Sequence, residues 1–154
     1  MAQQGSAKLL EDPVAQELLQ SRIPARLAYN WRDGTPRVVP IWFHWDGKDV
    51  VLASPERAPK FKSLKSGAKV ALTIDGDTFP HKVLMIRGTA EVSMCDGVVP
   101  EYAAAAKRYF GEDQGKAWVE NVSGVVKRMG RIAVHPDWVA ILDFESRFPS
   151  AISP

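Results

Sequence analysis

The chain has 154 residues, of which 45% are hydrophobic and 25% charged, and its formal net charge is +2 at pH 7. These values are typical of a globular domain with a substantial core, and so small a net charge does not by itself favour nucleic-acid binding. The single cysteine excludes an internal disulfide and a multi-cysteine zinc site. No stretch approaches the ~20 apolar residues of a membrane span and no secretory signal pattern is present, so a cytoplasmic protein with no membrane partner is expected.

The first predicted elements are a short helix and three strands that are joined by tight turns. The helix covers residues 11–20, with Asp12 as N-cap and Pro13 at the first helical position. Two Asp-Gly turns separate the strands, which are predicted over residues 25–31, 36–45 and 50–54. Because parallel strands need long crossovers, these three strands form an antiparallel meander. Residues 1–10 are expected to be flexible.

The rest of the chain contains three predicted helices and three predicted strands. Helices are predicted over residues 58–66, 98–110 and 114–127, and strands over residues 68–75, 82–94 and 130–144. Gly88 indicates a bulge or bend, and Pro136 indicates that the last strand is bulged, broken or at an edge. One side of the last helix is apolar, with Trp118, Val119, Val122, Val125 and Val126. Six strands with inserted helices predict one mainly β domain over residues 1–154, a barrel or a sandwich.

The second strand is rich in aromatic residues and alternates between two faces. One face carries Val39, Ile41, Phe43 and Trp45, and the other carries Val38, Pro40, Trp42 and His44. One face is expected to fill the core, and the other is expected to line a subunit interface or a cofactor groove. An equally simple interpretation is that both tryptophans are only buried.

A basic segment follows the third strand. It contains Arg57, Lys60, Lys62, Lys65 and Lys69 and no acidic residue. Such a run is usually a solvated helix face. Here it opens a predicted helix, and a helix N-terminus offers free N–H groups and the positive end of a dipole. A phosphate placed there is held by N–H donors and ammonium groups together.

Side chains that would do chemistry by themselves are not evident. The three histidines, His44, His81 and His135, have no metal-ligand spacing, so no metal site is predicted. No P-loop, GxSxG or GxGxxG motif is present. Nucleic-acid binding through the lysines and tryptophan stacking ranks last, because the cations are local and no RNP-like motif is present.

Four segments, in this order, resemble a known family: DGTPRVVPIWFHWDG, VVLAS followed by APKFKSLKSGAKVALTID, IRGTAEV, and IAVHPDWVAILDF. They are similar to the pyridoxamine 5′-phosphate oxidase-like split barrels, which include flavin and deazaflavin oxidoreductases. The resemblance implies a six-stranded antiparallel split β-barrel that forms a homodimer and binds FMN or F420 between its subunits. The C-terminal RFPSAISP lacks the basic and polar residues of true pyridoxamine phosphate oxidases, so pyridoxal phosphate synthesis is not expected.

The same resemblance implies positions for the cofactor site. The strand backbone at Val38, Val39, Pro40, Ile41 and Trp42 would lie along the flavin ring. Lys60 would grip the cofactor phosphate, supported by Ser54 and Lys62, and Ala53 would also contact the cofactor. Pro59 stands where the family often has an arginine, and Arg57 would take the place of that cation. His81 and Lys82 would reach a cofactor bound mostly by the partner subunit. No catalytic side chain is implied.

The leading functional hypothesis is a flavin- or F420-dependent oxidoreductase that transfers hydride or electrons between its cofactor and a small conjugated substrate. In such enzymes the cofactor carries the chemistry, and the protein supplies binding and orientation. The alternatives are a flavin-binding sensor or carrier without turnover and a haem- or tetrapyrrole-handling member of the same fold.

Overall fold

The computed structural model describes residues 2–148, which form one antiparallel seven-stranded sheet with three α-helices. The strand order is β2-β1-β5-β6-β7-β4-β3. The strands are β1 Ala25–Asn30, β2 Pro36–Ile41, β3 Phe43–Trp45, β4 Val50–Pro55, β5 Lys69–Asp75, β6 Lys82–Asp96 and β7 Arg128–Asp143. The helices are α1 Pro13–Leu19, α2 Pro100–Phe110 and α3 Glu112–Val125, with short 3-10 helices at Ala7–Glu11 and Pro59–Lys62. The mainly β split-barrel class is therefore confirmed.

The strand count differs from the prediction by one, because the aromatic second strand is divided at Trp42. Its first part, β2, pairs with β1, whereas its second part, β3, pairs with β4. One continuous alternation of residue types therefore covers two strands that pair with different partners. The division separates β2 from β4 and opens the barrel between them.

The long strands β6 and β7 pair along their whole lengths and join the two halves of the barrel. Their register shifts where Gly88, opposite Pro136, follows the pair Arg87–Trp138, which leaves Asp137 as an extra residue in β7. A Cβ atom at Gly88 would lie 2.2 Å from the carbonyl oxygen of His135, so only glycine permits this approach. The predicted irregularity at Gly88 and Pro136 is confirmed as a β-bulge.

The main core lies inside the barrel and follows the predicted alternation. Val39, Ile41, Phe43 and Trp45 all belong to this core or pack against it, whereas Val38 is 65% exposed. A smaller core lies outside the sheet, under α2 and α3, and contains Ala53, Val99, Val122 and Met129. The sheet therefore buries both of its faces at this end, and α2 and α3 form a cover.

Residues 2–10 contact the barrel, while the flexibility expected of residues 1–10 stays a prediction. Leu9 and Leu10 are buried in the main core. The side chain of Gln4 donates to the carbonyl of Ile141 and accepts from its N–H. Helix α1 then begins as predicted, with the Asp12 carboxylate accepting a hydrogen bond from the Val14 N–H.

Two helix predictions need correction. The helix predicted over residues 58–66 is a four-residue 3-10 helix, Pro59–Lys62, although Phe61 and Leu64 are buried as expected. Its length leaves no helix dipole to support a phosphate, so that part of the expectation is wrong. On α3 the predicted apolar side is incomplete: Val122 is buried, but Trp118 is 41% and Val125 81% exposed. Val125 is exposed because the helix ends there and Val126 is already extended.

Among the described residues, no helix combines the length and apolarity needed to cross a membrane.

Candidate cofactor site

The best-defined polar contact in the basic segment joins Lys60 to Ser54. Ser54 follows Val50 and Leu52 on the inner face of β4 and is 8% exposed. The Nζ atom of half-buried Lys60 donates to the Ser54 Oγ at 3.0 Å. Burial lowers the pKa of Lys60, because the charged form loses solvation. Within residues 2–148 no carboxylate pairs with this ammonium group, so it is available to an anion.

A close contact between Phe61 and Gly130 fixes the position of this lysine. Gly130 lies opposite Ser54 in the β4–β7 ladder. A Cβ atom at position 130 would lie 2.2 Å from the Phe61 ring. The ring therefore packs directly on bare backbone and holds the neighbouring Lys60 against β4. Gly130 was not predictable from the sequence, because a glycine inside a strand gives no sign of which side chain covers it.

The Lys60 segment lies across one end of the opening between β2 and β4. The β3–β4 ladder ends with Phe43 opposite Leu52, so Ser54 pairs only with β7. Two hydrogen bonds join the segment to the β1–β2 hairpin: Ser63 Oγ donates to the Asn30 carbonyl at 2.6 Å, and Arg32 Nε donates to the Lys62 carbonyl at 3.0 Å. Lys60 therefore lies at the mouth of the split.

Strand β2 forms the other wall of this opening. It pairs with β1 only, so among the described residues its outer edge has no strand partner. Backbone N–H and C=O groups on such an edge are available to a ligand, except at Pro40, which has no N–H. Val38 and Pro40 are exposed, while Val39 is partly buried and Ile41 is buried in the core. Of the predicted ring-side residues, Val39 and Ile41 can therefore contribute only through the backbone.

Trp42 occupies the point where β2 gives way to β3 and packs against the helical cover. Its ring stacks on Tyr109 at a centroid distance of 5.0 Å and an interplanar angle of 15°. Phe110, Tyr102 and Trp118 contact it at 5.0, 5.7 and 6.3 Å. Trp42 therefore packs against the helices in this chain, and its contact with a cofactor stays a prediction. Ala53 also faces this cover and not Lys60.

His81 and Lys82 lie away from Lys60 in the same chain. Ser54 pairs near the start of β7, whereas Lys82 pairs with Asp143 at its end. Lys82 forms an ion pair with Glu17 at 2.7 Å, and His81 lies between the rings of Phe79 and Phe144. Their predicted contact with a cofactor requires a second subunit.

The margin of the opening is more basic than the sequence indicated. Arg57, Lys62, Lys65 and Lys69 form no ion pair within the described part of the chain. Arg32 and Arg37 add two cations, and the Arg37 guanidinium lies 4.0 Å from the centroid of the Trp31 ring. The arginines that flank the turn in WRDGTPR were the available signal. In residues 2–148 no three His, Cys, Asp or Glu side chains converge as a metal site would require.

Comparison with known proteins agrees with this architecture. The profile of the pyridoxamine 5′-phosphate oxidase family matches residues 11–142, and the chain therefore belongs to this family. No match was found among curated protein sequences.

Solved structures of similar fold have different described roles. An F420 reductase is 23% identical with a TM-score of 0.59, over 81% of this chain and 94% of that one. A conserved hypothetical protein from Mycobacterium tuberculosis is 17% identical with a TM-score of 0.67, over 93% and 91%. HutZ, the haem storage protein from Vibrio cholerae, is 18% identical with a TM-score of 0.60, over 86% and 93%. At these identities the likeness concerns the fold, and function depends on the site.

Proposed function

We propose that this protein is an oxidoreductase that holds FMN or F420 in the opening between β2 and β4 and transfers hydride or electrons to or from a small conjugated molecule. The observation that carries the proposal is the Lys60–Ser54 pair. A half-buried ammonium group without a carboxylate partner is costly unless an anion neutralises it. A cofactor phosphate supplies that anion and restores the charged state that burial disfavours.

The residues present are compatible with both ends of such a cofactor. Lys60 and Ser54 would hold the phosphate, one as a cation and one as a hydroxyl donor. The unpaired edge of β2 would donate to the polar edge of the ring, with Val38 and Pro40 as an exposed apolar surface beside it. A cofactor of this class supplies hydride or electron transfer at its ring when bound.

The side chains and backbone of this chain would bind the cofactor, orient it and exclude water from the site. The Lys60 ammonium would hold the cofactor phosphate, and the β2 backbone would hold the polar edge of its ring. His81 and Lys82, supplied by a second subunit, would close the far side of the site. No acid–base pair of this chain is assigned to the transfer.

The Lys60→Ala variant tests the anchor. It should weaken the binding of FMN or F420 by about 1.5–3 kcal/mol, the scale of a hydrogen bond to a charged group. Lys116→Ala, which removes an exposed lysine from α3, is the matched control and should bind as the wild type does. Calorimetric titration measures both. Equal affinity for wild type and Lys60→Ala would remove the basis of the proposal.

Turnover separates the oxidoreductase from its alternatives. Under anaerobic conditions the bound reduced cofactor should be reoxidised by a quinone or enone faster than the free reduced cofactor. Tight binding without acceleration across a broad panel of acceptors would indicate a sensor or carrier. Saturable haem binding with a Soret shift, in the absence of flavin or F420 binding, would favour the tetrapyrrole-handling alternative.

A further inference from the structure

A cavity of about 330 Å³ lies beside the cofactor site but is built from other residues. It opens where the end of β4 meets the junction between α3 and β7, and neither Ser54 nor Lys60 lines it. The N–H of Glu56 donates to the carbonyl of Arg128 at 3.1 Å and joins the two walls. Its volume falls within the range of small-molecule pockets, ~300–1,000 Å³.

The charges that line this cavity are mostly positive. Arg57, Lys127 and Arg128 contribute three cations, and Glu56 contributes one carboxylate. Arg128 is neutralised by Glu56 and Asp96, each at 3.2 Å. Among residues 2–148, Arg57 and Lys127 have no carboxylate partner. The three cations and the two carboxylates, Glu56 and Asp96, sum to a net charge of +1, which favours a monoanionic ligand.

The same cavity has an apolar wall. Val125 and Val126 line it, and Val125 is 81% exposed. Val126 packs on the smaller core, so this wall is anchored to the fold. A ligand that covers Val125 removes apolar surface from water while its charge meets Arg57 and Lys127.

We infer that this cavity binds a small amphiphilic monoanion, a carboxylate with an aliphatic or aromatic body of modest size. The inference does not require the Lys60 anchor, because the cavity is lined by Arg57, Val125 and Lys127 and by neither Ser54 nor Lys60. It also gives Arg57 a role separate from that anchor.

The test compares octanoate with octanamide, which has the same chain length and no charge, by NMR titration of the wild-type protein. Octanoate should bind saturably, shift the amide resonances of Val126, Lys127 and Arg128, and bind at least about fivefold more tightly than octanamide. Shortening the chain should weaken binding by up to about fourfold per methylene group.

Charge-neutral variants provide a second test. Arg57→Gln and Lys127→Gln should each lower the octanoate affinity by about two- to fivefold, and the double variant by their product. Lys116→Gln on α3 is the control and should change it little. The inference is overturned if octanamide binds as well as octanoate, if the double variant binds like the wild type, if the shifts map elsewhere, or if no saturable binding occurs at millimolar octanoate. Since the first comparison uses only the wild-type chain, a folding defect in a variant does not prevent the test.

Discussion

The Lys60 ammonium group is half-buried and has no carboxylate partner among the described residues. Both the stability of the protein and its affinity for a cofactor should therefore depend on pH. Its folded-state pKa lies below the ordinary value of 10.5, so between these two values the unfolded chain binds more protons than the folded one. The free energy of unfolding should therefore rise with pH through that window, up to about 10.5, as the buried charge is lost. Over the same window the affinity for a cofactor phosphate should fall.

Chemical denaturation across this window measures the effect. The stability difference between Lys60→Met and the wild type should shrink as pH rises, because only the wild type gains. Lys62→Met, at an exposed site, should show no such trend. A difference that stays constant with pH would mean that Lys60 is not held in the environment described.

Gly130 controls the placement of the Lys60 segment through the ring of Phe61. Gly130→Ala should lower the free energy of unfolding by about 1–3 kcal/mol, the range for overpacking a core, and should also weaken cofactor binding. Gly124→Ala is the matched control: no atom lies within 4 Å of the added Cβ, so it should raise stability by up to about 1 kcal/mol. Thermal unfolding compares them, and a neutral Gly130→Ala would contradict this packing.

At the scale of elements, one ion pair ties the helical cover to the barrel. Glu101 of α2 accepts hydrogen bonds from the Arg131 Nε and Nη2 of β7, at 3.0 and 2.6 Å. These bonds lower the pKa of Glu101, so the pair contributes stability above the ordinary value of 4.5, and this contribution is lost as pH falls through the folded-state pKa.

Glu101→Gln should therefore destabilise the protein by about 1–3 kcal/mol at neutral pH and make the acid limb of its stability curve shallower. Glu120→Gln, which removes an exposed carboxylate from α3, should do neither. Urea unfolding at several pH values measures the free energy of unfolding of both variants and distinguishes them. An unchanged acid limb in Glu101→Gln would show that the pair does not stabilise the cover.

The local pattern of residue types predicted most helices and strands, but not which strands pair with each other. Alternation grouped Val39 with Phe43 on one face but did not show that this face is the one in the core, and it gave no sign that the strand changes partner at Trp42. The helix expected over residues 58–66 ends at Lys62, and the Ser63 side chain that follows donates to the Asn30 carbonyl, a contact set by the tertiary fold.

The same limit applies to the candidate site. Lys60 and Ser54 were implied by the family resemblance, whereas Gly130 enters the site only because β7 meets the distant Phe61 segment. The residues on either side of Gly130 in the sequence do not show that Phe61 packs on it, so this contact could not be predicted.

At the scale of the whole molecule, the proposed site needs a second copy of the chain. Val38 is 65% and Phe79 is 73% exposed, and Phe79 adjoins the segment that carries His81 and Lys82. Apolar side chains this exposed favour association. We predict a two-fold homodimer in which His81 and Lys82 of one subunit approach Lys60 of the other.

Sedimentation equilibrium should show dimers at micromolar concentration, and Phe79→Ser should weaken both dimerisation and cofactor binding. A wild-type monomer at that concentration would contradict the assembly and, with it, the role of His81 and Lys82. The Lys60–Ser54 anchor would be unaffected by that result, because it lies within one chain.

The most direct test of the central claim is a titration of the wild-type protein with FMN and with F420 at low and high salt, followed by fluorescence. If the opening between β2 and β4 is a cofactor site, at least one of them should bind saturably, with one cofactor for each chain. If the unpaired cations around the opening contact the polyanionic tail of F420, that cofactor should bind more tightly than FMN, and its advantage should shrink as salt screens the exposed charges. Failure of both cofactors to bind at either salt concentration would contradict the assignment of the opening between β2 and β4 as a cofactor site.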